Sequence, residues 1–137
     1  MKPHVSVITL GVEDLDRAAR FYRDGLGWPA HQEYPGWIAL RLGGGAAVLG
    51  LMPVASLAAD AGVPADGGSG FRGATFSYVV RSDDRVAEVL AEAEKAGAII
   101  IKPAEQTPWG GCGGTFADPD GHMWKVASGT GDQPYAE

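Results

Sequence analysis

The pattern of residues 5–28 returns at residues 74–97, and this repetition constrains the fold more than any single motif. Residues 5–12, VSVITLGV, are rich in β-branched and apolar types and read as a strand. Asp14 then caps a helix. Leu15, Ala18, Ala19, Tyr22 and Leu26 form one apolar stripe, while Asp16, Arg17, Arg20, Arg23 and Asp24 take the other faces. Gly27 closes it. In the second copy ATFSYVVR at 74–81 reads as a strand, and Asp83 or Asp84 caps a helix with the stripe Val86, Val89, Leu90 and Ala93, ended by Gly97. Asp14 and Gly27 stand 13 apart, as do Asp84 and Gly97, and both ends are offset by 70.

Three extended pieces follow each helix. In the first copy they fall near 31–34, at 37–42 and at 46–52, with Gly43-Gly44-Gly45 turning between the last two. In the second they fall at 98–102, 113–117 and 122–128. Residues 55–61 predict one helical turn. Each copy is thus a βαβββ unit: a curved sheet with a helix on one face and nothing on the other. Two such units give an α+β fold, and their bare faces would line a trough for a small ligand. The expected division is a single domain over 1–137. Module 1 is about 1–62, a PADGGSG-bearing linker is 63–71, module 2 is about 72–129, and a loose tail is 130–137.

A chain of 137 residues suits one domain and can bury roughly two-thirds of its unfolded surface. The single cysteine, Cys112, excludes an intramolecular disulfide and points to a reducing compartment. The first residues lack the apolar run of a signal peptide, and no apolar stretch reaches bilayer length. The expectation is a cytoplasmic protein without a membrane partner. A net charge of −6, with eleven scattered basic residues, argues against nucleic acid.

Two stretches, GVEDLDRAARFYRDGLGW at 11–28 and GGCGGTFADPDGHMWKVA at 110–127, resemble the vicinal oxygen chelate superfamily. That group includes glyoxalase I, the bleomycin-resistance proteins and the extradiol dioxygenases. The resemblance is carried by Asp14-Leu15, Phe21-Tyr22, Gly25-Leu26-Gly27, and Asp118-Pro119-Asp120-Gly121-His122 with an aromatic residue at 124. It implies paired βαβββ modules in a curved mixed sheet, and a homodimer. It also implies four ligand positions in metal-dependent members, one on each of four strands of the open face. Here they fall on Val7, on Gly50, within Thr75–Tyr78 and on Lys125. Valine and glycine have no donor side chain. A protonated lysine has no lone pair to give and repels a divalent cation. The Thr75–Tyr78 window holds neither His nor carboxylate, whereas a catalytic metal needs about three protein ligands. No metal or other cofactor is expected, and glyoxalase I and extradiol dioxygenase chemistry are disfavoured.

The other chemistry-bearing residues are few. His4 lies three before Val7 and so faces away from the trough, and His122 belongs to a turn; nothing gathers them with His31. Cys112 has no adjacent base to activate it, although glycines on both sides would let a ligand approach closely. Lys125 can lay its stem along the sheet with its ammonium at the rim, or serve as an anion hook. Trp124 alternates with Lys125 and should join the core, and Trp28 packs at the helix end. Trp37 and Trp109 border loops and can stack a planar ligand. Strand parity adds Val5, Thr9, Val48, Met52 and Met123. The candidate ligand-binding set is Val7, Thr9, Trp37, Val48, Gly50, Met52, Trp109, Cys112, Met123 and Lys125. No catalytic residue is assigned. This mostly apolar set suits a metal-independent binder of a small hydrophobic or aromatic molecule, as in antibiotic sequestration. The alternative is a lyase, isomerase or dioxygenase of the same superfamily.

Overall fold

A computed structural model describes residues 1–44, 47–66, 70–72, 74–108, 110–129 and 134–137. Gly45 of the expected turn, the expected strand start at 46, part of the linker (67–69), Trp109, and residues 130–133 of the tail lie outside the described residues. The chain divides into two compact units, Met1–Gly70 and Phe71–Glu137.

In the first unit β1 is Val7–Val12 and α1 is Leu15–Ala19, which runs on as a π-helical stretch, Arg20–Gly25. Strands β2 (Ala30–Tyr34), β3 (Trp37–Arg41) and β4 (Val48–Pro53) follow, then α2 (Val54–Ala61). The second unit has β5 (Thr75–Val79), α3 (Asp83–Ala96), β6 (Ile99–Gln106), β7 (Cys112–Ala117) and β8 (Met123–Ala127). The strand orders are β1-β4-β3-β2 and β5-β8-β7-β6, the same topology twice. In each unit the first and last strands pair in parallel, and the other pairings are antiparallel. The fold is α+β with two mixed four-stranded sheets, as the βαβββ repeat requires.

The helix starts differ in one respect from the expectation. The Asp14 carboxylate accepts the Arg17 N–H at 3.1 Å, as expected. In the second unit, however, the cap is Ser82, whose hydroxyl accepts the Arg85 N–H at 3.3 Å. Asp83 and Asp84 instead occupy the first turn, where the helix dipole favours negative charge. Asp83 also accepts the Ser128 hydroxyl at 2.5 Å. The caps are therefore 68 residues apart while Gly27 and Gly97 are 70 apart, so the second helix carries two extra residues before its closing glycine. The single turn expected at 55–61 is a two-turn helix, closed by Gly62 in the left-handed conformation.

Each helix covers one face of its sheet. Under α1 and its π-helical extension, Phe21 and Tyr22 are fully buried with rings edge-to-face at 4.8 Å, in a core with Leu10, Val12, Leu40, Leu49 and Leu51. Under α3, Trp124 stacks on Phe116 at 6.2 Å and lies 5.0 Å from Phe76, which bears out its core placement. Val86, Leu90 and Ala93 complete that layer. Gly114 permits the close fit, because a Cβ there would stand 2.4 Å from Leu90 Cδ1.

The turn after β7 is built around a buried carboxylate. Asp118 Oδ1 accepts the N–H groups of Asp120 at 2.9 Å and of His122 at 2.8 Å, while Gly121, at a φ of 84°, reverses the chain. Within the described part of the tail, residues 135–137 make contacts. The Ala136 N–H donates to the Val79 carbonyl at 2.7 Å, Arg81 lies 4.1 Å from the Tyr135 ring centre, and Glu137 binds Arg85 and Tyr78.

Candidate functional site

Strand register assigns the faces that the helices leave bare. In the first unit Val7 pairs with Val48, Thr9 with Gly50 and Gly11 with Met52, while Gly50 pairs on its other side with Ala39 and Val48 with Arg41. Directly opposed residues share a face. Their alternates, Leu10, Leu49, Leu51, Ile38 and Leu40, form the core. Val7, Thr9, Val48, Gly50 and Met52 therefore share the face opposite the helix. Val5 lies outside any strand and is exposed.

Trp37 supplies the feature that defines this face. Its indole crosses diagonally from β3 onto Gly50 of β4. A Cβ built at Gly50 would lie 2.4 Å from Trp37 Cη2, 2.8 Å from Cζ3 and 3.1 Å from Thr9 Oγ1. The indole Nε1 donates to Gln32 Oε1 at 3.1 Å, which fixes the ring's azimuth. Gly50 is buried beneath the ring, and Trp37 and Thr9 are half-buried. At the end of the face, α2 sits over Gly11, with Val54 Cγ2 3.2 Å and Leu57 Cδ2 3.4 Å from where a Cβ would be. The result is a surface with an apolar middle and the Thr9 hydroxyl, bounded by an aromatic plate and a helix, with Gln32 and Arg41 on the same face by register.

In the second unit Lys125 pairs with Ser77 on β5 and with Thr115 on β7, and Met123 pairs with Thr75 and Ala117. These residues share the bare face, since their alternates Trp124, Val126 and Phe116 are buried under α3. The stem of Lys125 leans over Gly113, its Cε 3.9 Å from where a Cβ there would stand. On this face Lys125 has a hydroxyl residue directly across from it on each neighbouring strand.

Cys112 does not join it. Its parity is that of Gly114 and Phe116, the residues under α3, and it is 6% exposed. Burial, and then the nearby Asp83 carboxylate, push the thiol above its usual range. The glycine-flanked cysteine is a packing residue at the foot of α3. Trp109 lies outside the described residues. The polar residues Gln32, Arg41, Ser77 and Thr115 also belong to the bare faces and were not in the candidate set. Ser77 sits in the window matched to the third ligand position, and its alternation with the half-buried aromatics Phe76 and Tyr78 was the available signal for it. Arg41 and Thr115 follow only from register. Among the described residues, no three His, Cys, Asp or Glu side chains come together in a metal-binding cluster, and no helix is long and apolar enough to cross a membrane.

The sequence profile of the Glyoxalase/Bleomycin resistance protein/Dioxygenase superfamily matches residues 4–126. The chain belongs to this superfamily. Among solved structures it is similar to a glyoxalase-related enzyme from Fulvimarina pelagi, at 36% identity and a TM-score of 0.83, over 93% of this chain and 88% of that one. A glyoxalase/bleomycin resistance protein/dioxygenase from Nocardioides shares the fold at 23% identity and a TM-score of 0.79, over 98% and 89%. A lactoylglutathione lyase from Agrobacterium tumefaciens does so at 24% and 0.69, over 94% and 96%. No curated protein matches the chain. Superfamily membership fixes the scaffold, on which unrelated activities are carried. At two of the positions that the resemblance matches to metal ligands, the chain has Gly50, which lies beneath the Trp37 indole, and Lys125.

Proposed function

We propose that this superfamily member is a metal-independent binder of a small hydrophobic or aromatic molecule, held on the bare face of the first unit. The observation that carries the reading is the seating of Trp37 on Gly50. The space that a carboxylate at position 50 would need is filled by the indole. The residues present do not fit a divalent cation: Val7 and Gly50 have no donor atoms, and Thr9 offers a neutral hydroxyl of low metal affinity. The same residues suit a planar apolar ligand. The indole offers a π-face oriented by Gln32, Val7, Val48 and Met52 offer methyl and thioether contact, and Thr9 can donate to one acceptor. Sequestration of an antibiotic-like aromatic is the role that such a site would serve.

The test is a screen of aromatic and antibiotic-like compounds, read at the Trp37 indole N–H by NMR. A binder gives saturable shifts there, and Trp37→Leu removes them without unfolding the chain. Turnover of a bound compound would move the reading to the enzyme alternative. That alternative draws its support from the 36%-identical relative described as a glyoxalase-related enzyme. The homodimer and the cytoplasmic location belong to the same proposal, and light scattering on the eluted protein tests the first.

A further inference from the structure

We infer that the bare face of the second unit carries an oxyanion-binding site centred on Lys125, suited to the carboxylate or phosphate group of a small acid. The register sets Ser77 and Thr115 directly across from Lys125 on its two neighbouring strands. Directly opposed residues bring their Cβ atoms within about 5 Å. One ammonium and two hydroxyls are therefore presented from one patch of sheet, and all three can donate. An oxyanion accepts several such bonds at once, and those from an ammonium are among the stronger hydrogen bonds in proteins.

The surroundings favour this use of the lysine. Lys125 is half-buried, flanked on its own strand by buried Trp124 and Val126, which point to the opposite face. Its stem passes over Gly113, where the missing side chain leaves room, with the Thr107 methyl on the other side at 3.2 Å from the same point. The carboxylate across from Gly113, Glu105, is engaged by Lys102 at 3.0 Å. The stem of Lys125 thus runs over a glycine floor from a strand position that has a hydroxyl residue on either side.

The test is an amide NMR titration of the full chain with benzoate, phenyl phosphate and neutral benzamide. The site predicts saturable shifts at Ser77, Thr115 and Lys125 with one or both anions, at least about tenfold tighter than with benzamide. Benzoate against phenyl phosphate tells which oxyanion fits. Lys125→Met should weaken the anion about tenfold or more, while Lys125→Arg should retain binding. Ser77→Ala and Thr115→Val, which keep the lysine, should each weaken the anion severalfold. Anions that bind no tighter than benzamide, or bind Lys125→Met as well as the parent, overturn the inference. Shifts confined to Trp37 would do the same while leaving the first unit's binding role intact.

Discussion

The six-membered ring of Trp37 rests on the bare Cα of Gly50, so closely that a Cβ at position 50 would lie 2.4 Å from Cη2. One residue's missing side chain is the other's seat. Gly50→Ala should expel the indole, break its hydrogen bond to Gln32 and destabilise the unit by about 1–3 kcal/mol. In the double variant with Trp37→Leu the alanine should cost much less. A cycle with additive costs, measured by denaturant unfolding, would mean that the two residues do not share the space.

Three glycines near β7 should respond in a fixed order. A Cβ at Gly111 meets the Ser128 carbonyl oxygen at 2.1 Å, and that backbone cannot move aside. At Gly114 it meets Leu90, which the core holds, and the Lys102 carbonyl at 3.0 Å. At Gly113 the nearest atom is the Thr107 methyl at 3.2 Å, on the bare face. Alanine should therefore destabilise most at 111, less at 114, and by under about 1 kcal/mol at 113. Thermal unfolding of the three variants gives the order directly.

Cys112 should resist thiol reagents. Its side chain is buried, and burial together with Asp83 holds the thiol protonated. At pH 8 the native protein should react far more slowly with a disulfide reagent than the unfolded chain, because the thiolate is the nucleophile. Rapid stoichiometric labelling of the native protein would contradict the assignment of Cys112 to the helix side of the sheet.

The tail contact has a defined pH signature. Arg85, and then Tyr78, hold the Glu137 carboxyl below its ordinary range. Its contribution to stability is present above the ordinary carboxylate value and is lost as pH falls through the lowered one. Tyr78 is pushed up to about 12, by burial and then by Glu137, so its contribution is present below the ordinary phenol value and lost as pH rises through about 12. Glu137→Gln should lower the Tyr78 titration part of the way, since the burial remains. The cost in stability at neutral pH should be about 1 kcal/mol or less, as for other surface ion pairs. An unchanged phenol titration would place the tail elsewhere in solution.

The parts of the fold that depend on short-range periodicity were legible in the sequence. Alternation put Trp124 in the core and Lys125 opposite it, and the repeated strand-helix pattern fixed two βαβββ units. The cap of α3 was misread because Ser82, Asp83 and Asp84 are consecutive and all can cap. Strand β6 was read short because Pro103 interrupts it, whereas an edge strand with bulges tolerates proline. Cys112 was misassigned because GGCGG offers no side-chain alternation to read. The Trp37–Gly50 contact is a diagonal relation between strands, and no one-dimensional pattern contains it.

The most direct test of the central claim is calorimetric titration of the metal-stripped protein with nickel, zinc, manganese and iron(II). With an indole over Gly50, no donor at Val7 and an ammonium at Lys125, none of the four should bind stoichiometrically. About one equivalent of any of them, bound with sub-micromolar affinity, would contradict the account and make the protein a metalloenzyme candidate.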